Sequence, residues 1–135
     1  MTERQSGAAA TGLVVGAAVA LSFALLISVL PASWFLDTPT RIAVYVVCAL
    51  AAPPTVWLLQ RVARARHTDQ RATFFWGMAG AMLFDSLMIG FVPSLYGQTG
   101  QALAWTASAL LFAFATAFIA GQVMLGRTVA ARVGS

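Results

Sequence analysis

Between Arg71 and Arg127 one charged residue interrupts the chain, Asp85 in MAGAMLFDSLMIGF. A carboxyl group in so apolar a run can hold a proton, neutralise a cation, or accept hydrogen bonds that fix helix register. Few groups are available to join it. Arg41, Tyr45, Cys48 and Ala52 recur at i, i+4, i+7 and i+11, so on a helix they share one face. The expected polar cluster is Asp85 with Tyr45 and Arg41 as first partners, then Ser108 and Ser86, with Cys48 at the same depth. Met78, Met82 and Met88 flank Asp85 at −7, −3 and +3. Thioethers near a cysteine suit a soft metal such as Cu(I). Methionine also fills irregular core gaps, and this loose spacing favours filling, so no metal or other cofactor is expected.

Missing motifs narrow the chemistry further. The chain has no GxxxxGK[ST] phosphate loop, no HExxH and no GxSxG. No paired carboxylates sit at helical spacing, so general acid–base work lacks a second group and no catalysis is expected. Cys48 is the single cysteine, which excludes an intramolecular disulfide and a dithiol redox motif. His67 is the single histidine, so haem held between two histidines is excluded.

Composition says where these residues must sit. Of 135 residues, 60% are hydrophobic and 9% are charged, against about 25% charged in a soluble domain. A soluble domain of this length could not cover that much apolar surface. The net charge of +4 comes from eight cations, all arginine. They are too few and too scattered for a nucleic-acid stripe, and none is expected as a partner.

Four apolar runs approach the roughly 20 residues a bilayer requires: 8–30, 42–59, 72–92 and 102–125. The first exceeds a signal-peptide core in length and has no A-x-A-like cleavage site at its end, which predicts a true span. The connections are short, which makes sequence neighbours antiparallel. The expected fold is therefore all-α: one transmembrane domain over 1–135, an antiparallel four-helix bundle. With the N-terminus cytoplasmic, Arg4, Arg61, Arg64, Arg66, Arg71, Arg127 and Arg132 fall inside and Arg41 alone falls outside. That bias predicts both termini in the cytoplasm of a bacterial cell. Trp34, Tyr96 and Trp105 then mark the outer interface, and Trp57 and Trp76 the inner one. Asp85 lies about 20 Å from the cytoplasmic end of its span and roughly 10 Å below the outer surface.

Small residues supply candidate packing faces, because lipid competes for larger apolar groups. The first span carries Gly12, Gly16 and Ala20 at four-residue spacing, the third carries Gly77, and the fourth carries Ala113 and Ala117. Gly12 and Gly16 form a GxxxG pair that serves either a homo-oligomer or internal packing. Three such faces and four helices to seat favour internal packing. Pro53 and Pro54 interrupt the second span and predict a kink or break near residues 49–52, with Thr55 placed to satisfy freed carbonyls. The loop 61–71 carries Arg61, Arg64, Arg66 and Arg71. It is the orientation signal and also a candidate seat for anionic lipid head groups. A faint echo links Leu30-Pro31-Ala32-Ser33-Trp34 to Val92-Pro93-Ser94-Leu95-Tyr96. It suits two related hairpins, although proline at helix ends and aromatics at interfaces explain it more simply.

Leu83-Phe84-Asp85-Ser86-Leu87, followed by Phe91-Val92-Pro93-Ser94-Leu95-Tyr96-Gly97, resembles the third helix of small uncharacterised bacterial four-helix membrane proteins. The resemblance covers about fifteen residues, from Leu83 to Gly97. It implies the fold class and a role for Asp85, Pro93, Tyr96 and Gly97, and it implies no activity. Small multidrug transporters of similar size carry an essential acid in their first helix, which the first span here lacks. The expected function is a small structural or accessory membrane component. The alternative is a proton- or cation-coupled transporter or channel subunit acting through Asp85. The structural role is preferred because no second intramembrane acid and no lysine complete a relay.

Overall fold

A computed structural model describes residues 3–133, with side chains described from 6 to 126. The side chains of Arg4, Arg127 and Arg132, three of the cations expected on the inner side, lie outside the described residues. Every regular element among the described residues is helical: α1 (Glu3–Ser28), α2 (Ser33–Leu36), α3 (Thr38–Ala65), α4 (Gln70–Phe91), a 3₁₀ turn (Pro93–Tyr96) and α5 (Gly100–Val133). Four helices are long and apolar enough to cross a membrane: Ser6–Ser28, Thr38–Ala65, Gln70–Phe91 and Gly100–Gly126.

Capping chemistry sets where two of them begin. Asp37 accepts from the Thr40 backbone N–H at 3.4 Å and from its hydroxyl at 2.9 Å. Pro39 occupies the first turn of α3, where no N–H is needed. Asp69 accepts from Ala72 N–H at 2.6 Å and starts α4. Both acids thus hold helix N-termini, where a carboxylate also complements the helix dipole. Of the kink or break expected at Pro53-Pro54 the break does not occur, since α3 runs as one helix through both. Both prolines lie on its exposed side, while Ala52 and Val56 stay buried. Proline's own φ is helical, so two missing donors on one side need not end the helix. The Thr55 hydroxyl donates to Ala51 O at 2.8 Å, one turn back.

The closest partners are not sequence neighbours. α1 packs along α4, and α3 packs along α5. In both pairs the contacts climb together. Gly12 meets Thr73 and Gly77, Gly80 meets Leu13, and Ser28 meets Gly97. Likewise Arg41 lies on Trp105, and Tyr45 on Ser108 and Phe112. The α1–α4 seam is backbone against backbone. A Cβ on Gly16 would collide with the Gly77 carbonyl oxygen, and one on Gly12 would stand 2.6 Å from Thr73 O. The GxxxG pair is therefore occupied within the chain, which removes it as a free dimer face. Ala20 is buried on α1, and Ala117 on α5 joins Ala52, Val56, Leu59, Phe74 and Met78 in one core cluster. Ala24, Tyr96 and Leu110 form a second cluster.

Candidate functional site

The segment after α4 is built to return on itself. Val92 leaves helical geometry with φ −135°, and its N–H still reaches Met88 O at 2.8 Å. Pro93 cannot continue the helix and opens the 3₁₀ turn. Gly97 closes it at φ +63°, a conformation costly for residues bearing a Cβ. A Cβ there would also stand 2.6 Å from Ser28 O. Gln98 follows, 2% exposed, and its amide donates to Leu30 O at 2.9 Å and Ile27 O at 3.4 Å. Carbonyls at the end of α1 have no intrahelical donor, and Gln98 supplies one.

This return carries Tyr96 beneath the turn, fully buried, where its hydroxyl donates to Asp85 Oδ1 at 2.6 Å. Asp85 is 5% exposed. Its Oδ2 accepts no hydrogen bond from any of the described residues. Tyr96 is thus the partner of the acid rather than a member of an interfacial aromatic belt. Burial, with the hydrogen bond to Asp85 and its charge, pushes the Tyr96 phenol well above the usual tyrosine range. The phenol therefore stays a donor at any physiological pH.

The expected first partners are placed otherwise. Tyr45 donates to Ser108 Oγ at 2.7 Å, joining α3 to α5 without involving Asp85. The Arg41 guanidinium lies over the Trp105 ring, 3.9 Å from its centroid, and donates to Phe35 O and Thr38 Oγ1. A guanidinium that can reach an aromatic face and a carbonyl near the helix start need not be drawn down among apolar side chains. Ser86 is exposed and points away from its neighbour Asp85, because adjacent helix positions do not share a face. Met82 is exposed as well, whereas Met78 is buried, so the three thioethers do not converge.

Asp85 and Cys48 do meet across a cavity. A space of about 190 Å³ lies among α1, α3, α4 and α5, and both side chains line it. Its wall is otherwise almost entirely carbon, with Ala20, Gly77, Ala113 and Ala117 contributing. Small residues on each helix leave this room, since none fills the space a leucine would. Asp85 is the only charged residue in that wall.

No family model, curated protein or solved structure matches this chain.

Other candidates have simpler placements. Arg61, Arg64, Arg66 and Arg71 are all exposed around the turn joining α3 to α4, and Arg61 sits 5.3 Å over Trp57. No fixed ion pair holds them among the described residues. Chemically, the central site can hold one proton or one cation on Asp85. The described wall has no second carboxylate, lysine or histidine with which to pass a proton onward. Tyr96 as partner escaped the sequence reading. The available signal was Pro93 followed by Gly97, a turn pair that can send the next aromatic back along its own helix.

Proposed function

We propose that the chain is a small integral membrane protein, a structural or accessory component of a bacterial inner membrane. Its four apolar helices span the bilayer as an antiparallel bundle with both termini cytoplasmic. The observation that carries the reading is the buried Tyr96–Asp85 hydrogen bond at 2.6 Å. It engages the intramembrane acid within the chain itself and ties the turn after α4 back to the C-terminal half of that helix. Gln98 ties the same turn to α1. An acid used this way fixes register and loop position, as buried polar groups do between membrane helices. The lipid bilayer is the principal partner, with anionic head groups at Arg61, Arg64, Arg66 and Arg71.

Asp85→Asn and Tyr96→Phe test it. The structural reading expects both variants to lose about 1–2 kcal/mol of stability, measured by thermal denaturation of the purified protein. Wild-type stability in both variants would remove the reading.

A second reading is favoured by one observation, that Asp85 also lines a central cavity. In that reading the protein is a transporter or channel subunit, and Asp85→Asn abolishes proton or solute flux while the fold stays intact.

A further inference from the structure

The cavity has the size and wall of a binding site, with one charged residue in it. An apolar cavity of about 150 Å³ holds a benzene molecule, and this one measures about 190 Å³. Its occupant therefore has an apolar body near one aromatic ring in size. The tyrosine bond uses Asp85 Oδ1 and leaves Oδ2 without a donor among the described residues. The remaining polar groups of the wall cannot serve it well. The Thr55 hydroxyl is already given to Ala51 O, and Cys48 offers only a weak S–H donor. A carboxylate with one oxygen lacking a donor in an apolar wall is disfavoured, and a cation in contact with it offsets that cost. The chain's own nearby cation is committed elsewhere, since Arg41 is held over Trp105.

Access is from the side. The wall includes Leu26, Trp34 and Val47, which are exposed, so the cavity reaches the protein surface beside α1, α2 and α3. Helices α1 and α3 touch only sparingly, because each is packed on a different partner. In a bilayer that gap faces acyl chains, into which a lipophilic amine partitions.

We propose that the cavity binds a small amphipathic amine, with a one-ring apolar body in the carbon-lined space and its cationic head on Asp85 Oδ2. The inference rests on the second reading above for its site and names the ligand that site takes. The test uses the full chain in nanodiscs of zwitterionic lipid, with tritiated 2-phenylethylamine as probe and empty nanodiscs as background. Saturable binding is expected. It should weaken about tenfold or more in Asp85→Asn, as loss of a hydrogen bond to a charged group implies. It should vanish in Ala113→Phe, which fills the cavity and keeps the acid. The neutral analogue 2-phenylethanol should compete poorly at equal concentration. Absence of saturable binding, unchanged binding in Ala113→Phe, or equal competition by the alcohol overturns the proposal. If Asp85→Asn does not assemble, the Ala113→Phe result and the alcohol competition decide. Uptake into proteoliposomes separates the two ideas. Binding without uptake supports the amine site and removes the carrier reading. Proton conductance without amine binding overturns the amine site and leaves the carrier reading standing.

Discussion

At Asp85 one carboxyl oxygen is held by a phenol and the other has no donor among the described residues, and this constrains Tyr96 as much as the acid. The fold holds the phenol protonated by burying it against a carboxyl. Unfolding returns it to an ordinary value of about 10. A group whose folded value is raised contributes stability that is complete below that unfolded value and is lost as pH rises toward the folded one. Alkali above about pH 10 should therefore destabilise the protein through Tyr96. In a Tyr45→Phe variant Tyr96 is the remaining tyrosine of the two. Its phenolate absorbance should appear only together with loss of helical circular dichroism. Ionisation near pH 10 with helices intact would contradict this placement. Asp85 itself was legible as a singular residue, because one charge in an apolar run needs no structure to be noticed. Its partner was not. Tyr45 and Arg41 sit at a suitable depth on a neighbouring helix, but depth leaves rotation and rotamer undetermined. The nearer donor came from a turn that doubles back along the same helix.

Among the elements, the α1–α4 seam gives the sharpest expectation. Gly16 faces the Gly77 backbone, whereas Gly90 on α4 has open space around its Cβ position. Gly16→Ala must push two backbones apart and should cost about 1–3 kcal/mol, the usual range for overpacking. Gly90→Ala should be neutral or stabilising, since alanine favours the helix by up to about 1 kcal/mol. Thermal denaturation of both variants checks the pair, and equal effects would mean that the seam is not where the structure puts it. The ladder of small residues was visible in the sequence, because four-residue spacing places them on one helix face. Its partner helix was not visible, since several faces carry similar ladders. Pro53-Pro54 shows the opposite limit. The sequence marks two missing donors, but helix continuity depends on what surrounds them, and here the loss falls on the exposed side.

At the scale of the molecule, the first long helix pairs with the third and the second with the fourth, each pair running in step. Each half has the same element order, a long helix, a short helical turn and a second long helix. If the chain spans a membrane with both termini cytoplasmic, exposed positions at the two ends must differ in access. In a Cys48→Ser background, Ser94→Cys should react with an impermeant maleimide in intact cells. His67→Cys should react only after permeabilisation. Both residues are exposed, so reactivity reports the side of the membrane rather than burial. The reverse pattern would invert the orientation.

Composition and periodicity alone determined that the chain forms four long apolar helices, because backbone groups in an apolar setting must bond locally and only a helix does so within one segment. They also isolated Asp85, since scarcity of charge is a property of sequence. Tertiary structure decided the rest: which helix lies against which, that Tyr96 bonds the acid, that Arg41 stacks on Trp105, and that a cavity remains beside Asp85. Pairing and cavity both depend on how side chains from distant positions interlock. That is a property of four surfaces meeting at once, which no single helix encodes in its own spacing.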